Sequence, residues 1–100
     1  MITFGLNYDV KDEFISQFLG VANQVLEMMP SLEGHVKTAL YSDVNSPNSF
    51  MIYSEWENDS AFREFMKSDA FKGVQNMTRD MLLNRPKHKI YETKNMERPA

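Results

Sequence analysis

The side chains best suited to acid–base or metal chemistry are few in this sequence and widely separated. Its two histidines, His35 and His88, stand at the edges of predicted strands, and no spacing of carboxylates suggests that acids converge on either one. The chain has no cysteine. It also lacks the motifs of a nucleophilic serine elbow, a phosphate-binding loop, a dinucleotide-binding fold and a zinc protease. We therefore expect no permanent metal site and none of these chemistries.

A short basic run near the C-terminus is the densest group of charges. Arg85, Lys87, His88 and Lys89 lie on or just before a predicted final strand. Lysines on an edge strand discourage pairing with other chains, and this is the first interpretation of the run. The second interpretation is binding of an anion, because arginine and lysine carry positive charge. The sequence leaves both open.

The composition limits the partners and the location. The chain has 100 residues, of which 42% are hydrophobic and 25% charged, as expected for one globular domain. A net charge of −3 argues against a nucleic acid or an anionic membrane as partner. The N-terminus lacks a basic segment followed by an apolar one, and no run of about 18 apolar residues occurs. We therefore expect a cytoplasmic protein that does not bind membranes.

Hydrophobic periodicity predicts the elements that must position any site. Alternation of apolar and polar residues predicts strands, and apolar residues three and four apart predict helices. The predicted strands cover residues 2–10, 35–41, 50–56 and 87–92, with a turn-rich connector at residues 43–49 between the second and third. Helices are expected to start at Asp12–Glu13, Asn58–Ser60 and Ser68–Asp69. The first is expected to end at Pro30 and the last at Pro86.

The element order β-α-β-β-α(α)-β is the split βαβ plan of the ferredoxin-like fold. It predicts an α+β domain over residues 1–92, with a four-stranded antiparallel sheet and helices on one face, followed by a polar tail over residues 93–100. One side of the first strand is too apolar to face water, and we expect a second copy of the chain to cover it as a homodimer. This apolar side of the first strand consists of Ile2, Phe4, Leu6 and Tyr8.

The most distinctive segment is EWENDSAFREF at residues 55–65, followed by KSDAFK at residues 67–72. It resembles the strand-ending Trp, acid, helix cap, Ala-Phe and Ser-x-x-Phe-Lys pattern of antibiotic-biosynthesis-monooxygenase domains. Val10-Lys11 before an amphipathic helix, residues 29–34 before the second strand and the spacing Pro86-x-His88-x-x-Tyr91 fit the same pattern. The resemblance covers nearly the whole chain, about residues 2–92.

This resemblance implies a dimeric α+β barrel with two sheets back to back and a pocket between the helices and the sheet of each subunit. Many members of the family oxidise aromatic polyketides or quinols without a bound cofactor. The resemblance implies that Asn7 and Trp56 are catalytic residues, which position a small aromatic substrate and oxygen. The implied substrate-binding residues are Phe62, Phe65, Phe71, Gln75 and Arg79. Each also has a structural interpretation, as a core aromatic or a solvated polar residue.

Two other functions stay open. A subgroup of the family degrades haem, which implies an Asn in the first strand, a Trp ending the third strand and an iron-binding His after Phe-Lys. Asn7 and Trp56 match, but Gln75 stands where the His is expected, and an amide is a poor ligand for haem iron. The remaining alternative is a non-catalytic dimer that binds a small apolar molecule, which the missing histidines favour.

Overall fold

The computed structural model describes residues 1–97, and its elements follow the predicted order. Short 3-10 turns flank the first and third helices. The predicted start of a polar tail at residue 93 stays a prediction, and residues 98–100 of that tail lie outside the described residues. The elements are β1 (Ile2–Asp9), α1 (Ile15–Met28), β2 (His35–Asp43), β3 (Ser46–Trp56), α2 (Asp59–Lys67), α3 (Asp69–Thr78) and β4 (Lys87–Glu92).

The four strands form one antiparallel sheet in the order β2-β3-β1-β4. Ile2 lies opposite Trp56 on β3 and opposite Glu92 on β4, so β1 is paired on both sides. The helices pack on one face. The prediction of a ferredoxin-like α+β fold is therefore confirmed. Within residues 1–97, no helix combines the length and apolar character that crossing a membrane requires.

The hairpin between β2 and β3 is tighter than predicted. The expected connector over residues 43–49 shrinks to Val44 and Asn45, because β3 already begins at Ser46. The Asp43 carboxylate accepts a hydrogen bond from the Asn45 backbone N–H at 2.8 Å and holds the turn. Turn-forming side chains can continue as a strand here because this end of the hairpin is exposed and demands no apolar alternation.

The apolar side of β1 is covered by the helices of its own chain, so the prediction that a second copy covers it was wrong. The Phe4 ring lies 5.2 Å from that of Phe62 on α2 and 6.4 Å from that of Phe71 on α3. Tyr8 lies 5.0 Å from Phe18 on α1. The apolar stripes of the helices need an apolar sheet face, and this side of β1 supplies it.

The other side of the sheet is left without helices, and we call it the open face. On β1 it carries Thr3, Gly5 and Asn7, and register places Met51 beside Asn7 and Tyr53 beside Gly5. These side chains are half-buried or exposed, in contrast to the covered side. The open face, and not the apolar side of β1, is therefore the side of the sheet that the chain's own helices leave uncovered.

Both predicted helix caps in the middle of the chain are confirmed. The Asn58 side chain accepts a hydrogen bond from the Ala61 backbone N–H at 2.9 Å. The Ser68 hydroxyl accepts one from the Phe71 backbone N–H at 3.1 Å. Each cap satisfies a backbone donor that the first helical turn leaves unpaired. Ser68 thus ends α2 and begins α3, which turns the aromatic residues of both helices onto β1.

Candidate functional site

A small cavity lies between the sheet and the helices, where the family resemblance places a pocket. Its volume accessible to a water-sized molecule is about 20 Å³. Apart from the Tyr8 and Ser54 hydroxyls, its wall consists of apolar side chains. The lining residues are Phe4, Leu6, Tyr8, Val25, Met28, Met29, Ile52, Ser54, Phe65, Ala70, Phe71 and Val74.

The size of the cavity limits what fits without rearrangement. A space of this volume holds about one water-sized molecule, whereas pockets for drug-sized ligands measure roughly 300–1,000 Å³. An aromatic ring can enter only if lining side chains move aside. Met28 and Met29 are the side chains best suited to this, because methionine is unbranched and adapts its shape readily.

Trp56 is completely buried and does not itself line the cavity. Its ring stacks on Phe65, with centroids 4.6 Å apart and planes 24° from parallel. Its indole N–H donates to the Ser54 hydroxyl oxygen at 3.0 Å. A hydroxyl can accept and donate at the same time, so Ser54 keeps a proton that it can donate toward the cavity. Trp56 therefore acts on the cavity through Ser54 and Phe65.

Two further polar side chains flank this arrangement. His35 meets the Trp56 ring edge-on at 5.5 Å, and its Nε2 lies 2.5 Å from the Thr38 hydroxyl. Burial lowers the pKa of His35, and a hydrogen bond with the Lys37 backbone opposes that shift. Burial raises the pKa of the Tyr8 hydroxyl well above its usual value. His35 does not line the cavity, and Tyr8, the one titratable residue among the described side chains that do, stays uncharged near neutral pH, so the cavity wall carries no formal charge.

The structure brings some of the sequence-predicted residues together and separates others. Phe65 and Phe71 line the cavity, and Phe62 supports it by packing on Phe4. Asn7 lies on the open face, where it borders a shallow depression with Tyr41 and Met51. Asn7 and Trp56 therefore lie on opposite sides of the sheet. A site that uses both within one chain is not formed.

Gln75 and Arg79 border a second, polar cleft rather than the cavity. This cleft has a volume of about 490 Å³. It lies between the end of α3 and the entry to β4. The residues that line it, here called the arginine cleft, are Gln75, Arg79, Leu82, Asn84, Arg85 and Pro86.

Sequence analysis missed several residues of the cavity wall, above all Ser54, Tyr8 and the pair Met28 and Met29. The signal for Tyr8 was present, since it alternates with Phe4 and Leu6. Ser54 differs, because a serine within a strand gives no sign of burial unless the neighbouring Trp56 is known to bond with it. Within residues 1–97, no group of three or more His, Cys, Asp or Glu side chains could hold a metal ion.

Comparison with known proteins gives results that agree with this architecture. The family model described as antibiotic biosynthesis monooxygenase matches residues 1–77. A protein of Natronomonas pharaonis whose name marks it as a candidate heme-binding protein is 30% identical over 86 residues. That match covers 86% of this chain but 14% of the other protein, so the chain spans a small part of its relative.

Solved structures with the same fold are also found. A conserved protein from Methanosarcina mazei superposes with a TM-score of 0.87 at 22% identity, over 93% of this chain and 92% of the other. SnoaB, a cofactor-independent oxygenase from Streptomyces nogalater, superposes with a TM-score of 0.82 at 19% identity, over 99% of this chain and 97% of the other. At these identities the likeness shows a shared fold.

Proposed function

Because the chain belongs to the antibiotic biosynthesis monooxygenase family, we propose that it oxidises a small aromatic, quinol-type substrate with molecular oxygen and without a bound cofactor. The observation that carries this proposal is the Ser54 hydroxyl, which accepts from Trp56 at the wall of a cavity whose other lining residues, apart from Tyr8, are apolar. Such a wall excludes water, and the Ser54 hydroxyl, which accepts from Trp56, still has a proton to donate. These are the two contributions that oxidation of an electron-rich ring needs from a protein.

The chemistry requires no reductant other than the substrate. When a quinol ring gains one hydroxyl group and becomes a hydroxyquinone, two electrons come from the C–H bond and two from the quinol. One O₂ accepts all four electrons, and one of its atoms leaves as water. The electron-rich species that reacts with O₂ is the quinol anion, which forms when a quinol hydroxyl releases its proton to solvent before the ring enters the cavity. A donor hydrogen bond from Ser54 to its oxygen would stabilise that anion, and the N–H of Trp56 would strengthen the donor.

The Ser54→Ala variant tests this assignment in an oxygen-electrode assay with 1,4-dihydroxynaphthalene and anthrone. We expect kcat to fall about 100-fold, because a lost oxyanion donor has effects of this size. The variant also leaves the buried Trp56 N–H unpaired, which costs about 1–3 kcal/mol of stability, so circular dichroism must confirm folding. Ser42→Ala on β2 is the matched control, since Ser42 is exposed, and it should keep the wild-type rate.

Three outcomes would separate the hypotheses. Wild-type protein that consumes no oxygen above the blank contradicts the proposed function. If that protein still binds the probes in calorimetry, the chain is a non-catalytic carrier of small apolar molecules. If the wild-type enzyme is active and folded Ser54→Ala protein keeps its rate, the monooxygenase stands and the role of Ser54 is wrong.

Haem binding is the second candidate, because the Natronomonas pharaonis relative carries that name. The residues of this chain do not fit the group. Within residues 1–97, the side chains that line the cavity and the arginine cleft include neither histidine nor cysteine. Gln75 lines the arginine cleft, and its amide would bind iron weakly. The cavity, with a volume of about 20 Å³, would also have to widen far more for a porphyrin than for a two-ring quinol.

Titration with haemin distinguishes the two candidates. We expect micromolar haemin to leave the Soret band of the free compound unshifted, since neither the cavity nor the arginine cleft has an imidazole or thiolate among its described lining residues. Gln75→His restores the ligand type that the family resemblance implies at this position, and it serves as a positive comparison. A saturable one-to-one Soret shift with the wild-type protein would favour haem binding over quinol oxidation.

We also propose that two copies of the chain associate through the open face. Tyr41 and Tyr91 on this face are about half exposed, and the Tyr41 ring packs edge-on against Tyr53 at 6.1 Å. Tyr53 donates a hydrogen bond to Glu55, which raises the pKa of its hydroxyl. Tyr53 lies between the small residues Gly5 and Ala39, which leave room for an aromatic side chain of a second copy, and Lys89 lies on the other side of Gly5.

Sedimentation at micromolar concentration should therefore report twice the chain mass of 11.7 kDa. Met51→Lys places a charge within the open face and should shift the species to the single chain, because an unpaired buried charge is strongly unfavourable. Met77→Lys is the control, since Met77 is exposed on α3, away from the open face. A wild-type protein that remains a single chain at every concentration would contradict the dimer.

A further inference from the structure

The cavity between the sheet and the helices is too small for an aromatic ring as it stands, but it has room for a smaller molecule. Its volume of about 20 Å³ exceeds the roughly 10–15 Å³ that one water-sized molecule needs. A molecule of two atoms therefore fits with little movement of the wall. Met28 and Met29 line the cavity, and their flexible side chains adjust to an occupant of this size.

The wall offers a water molecule few hydrogen-bond partners. Of the described side chains that line the cavity, those of Tyr8 and Ser54 carry the polar groups. Tyr8 lies opposite Phe50 and Ser54 opposite Phe4, so four residues, or about 13 Å, separate the two along the strands. A water bonded to one hydroxyl is therefore poorly placed to bond to the other, whereas buried waters need two or more polar partners. The cavity thus favours an apolar occupant over water.

The helix side of the cavity lies nearest to solvent. The lining side chains that the strands contribute are buried. Three lining side chains are half-buried, and they are Met28 at the end of α1 and Ala70 and Val74 on α3. This is the side on which the wall has to move least for a small molecule to enter.

We propose that the cavity in its present shape, before an aromatic ring widens it, is a binding site for molecular oxygen. O₂ is an apolar molecule of two atoms, so it suits the size of the cavity and loses no strong hydrogen bonds when it leaves water. Apolar cavities in proteins stay free of water and bind apolar gases such as xenon. The inference rests on the proposed function and adds to it the position of the second substrate, against the wall that carries Ser54.

Methionine methyl groups report the position of oxygen, because O₂ is paramagnetic and accelerates the relaxation of nearby nuclei. Met29 lines the cavity, whereas Met81 is similarly buried and does not line it. The paramagnetic effect falls with the sixth power of distance, so a methyl group in contact at about 4 Å relaxes roughly tenfold faster than one at about 6 Å. Met29 and Met81 therefore form an internal pair that separates a bound oxygen molecule from oxygen dissolved throughout the core.

NMR of the full chain with ¹³C-labelled methionine methyl groups, without aromatic substrate, tests the proposal. The difference in relaxation rate between O₂ and N₂ at equal pressure isolates the paramagnetic effect. We expect this difference to be about tenfold larger for Met29 than for Met81 in the wild-type protein. Equal differences for the two methyl groups would overturn the inference.

A pair of valine variants on α1 tests the same site. Val25→Ile adds one carbon to a side chain that lines the cavity, and the effect on Met29 should fall about tenfold, to the level of Met81. Val21→Ile is the matched control, since Val21 lies one turn earlier, packs against the core and does not line the cavity, and it should keep the wild-type effect. An unchanged effect on Met29 in folded Val25→Ile protein would also overturn the inference.

The oxygen-electrode assay keeps this inference apart from the proposed function. If the quinol and anthrone probes are oxidised but Met29 shows no selective relaxation, the monooxygenase stands and the oxygen site is wrong. If Met29 relaxes selectively but neither probe is oxidised, the cavity binds oxygen and the proposed function is wrong.

Discussion

Replacing Trp56 with alanine should lower the free energy of unfolding by about 3–5 kcal/mol. The side chain is completely buried, stacks on Phe65, meets His35 edge-on and donates to Ser54. Alanine would leave a large cavity and remove every one of these contacts. A domain of this kind has a total stability of roughly 5–15 kcal/mol, so the variant should be marginally folded or unfolded.

Urea unfolding followed by far-UV circular dichroism measures this loss, because Trp56 is the only tryptophan and fluorescence disappears with it. Trp56→Phe should lose less, since it keeps an aromatic ring against Phe65 and removes only the N–H and part of the volume. Leu83→Ala, at an exposed position, should change stability by no more than about 0.5 kcal/mol. A Trp56→Ala loss as small as that of Leu83→Ala would contradict the packing described above.

The Trp56 position also explains what sequence could and could not predict. Alternation along β1 separates Asn7 from Ile2 and Phe4, and this follows from sequence because residues two apart share a side. The side on which Trp56 lies depends on the register between β1 and β3, which pairs it with Ile2. Register is set by long-range packing and is not encoded in either strand alone. The family resemblance assigned Asn7 and Trp56 to one site, but the structure places them on opposite sides of the sheet.

The covering of β1 shows a second limit. The sequence correctly indicated one very apolar strand side and three helices with apolar stripes. It did not connect the two, although the stripes of α1, α2 and α3 had to find an apolar surface somewhere. Matching them first would have assigned this side of β1 to the helices, and the open face to a partner. The helix caps Asn58 and Ser68 were predictable because a cap is a local hydrogen bond.

The structure places the residues of the basic run near the C-terminus in two different surroundings. Lys87 and Lys89 lie on the edge strand β4 and face the open side, where charge discourages further strand pairing. Arg85 lies before the strand and lines the arginine cleft with Arg79. Sequence could not separate these roles, because the partner of Arg85 comes from the end of α3, on another part of the chain.

Among the four glycines, Gly34 should tolerate a change to alanine least, with a loss of about 2–5 kcal/mol in the free energy of unfolding. Gly34 has a φ of 79°, a conformation that is unfavourable for residues with a Cβ. A Cβ at this position would also overlap the Cβ of Ala61 in α2. Its carbonyl accepts from the Glu57 backbone N–H at 2.8 Å, so the surrounding backbone has little freedom to move.

A double-mutant cycle with Ala61→Gly separates the two causes. Ala61→Gly alone should cost about 1 kcal/mol, since glycine disfavours a helix. In the double variant the overlap is gone, while the cost of the positive φ at position 34 and the cost of a helical glycine at position 61 remain, so the coupling between the two positions should be about 1–3 kcal/mol. Gly73→Ala is the control, because that glycine lies in α3 with open space around it and alanine there should raise stability. Additive losses for Gly34→Ala and Ala61→Gly would show that α2 does not approach the start of β2 as closely as described. That result would also contradict the placement of Trp56 beside His35, which is the first residue of β2.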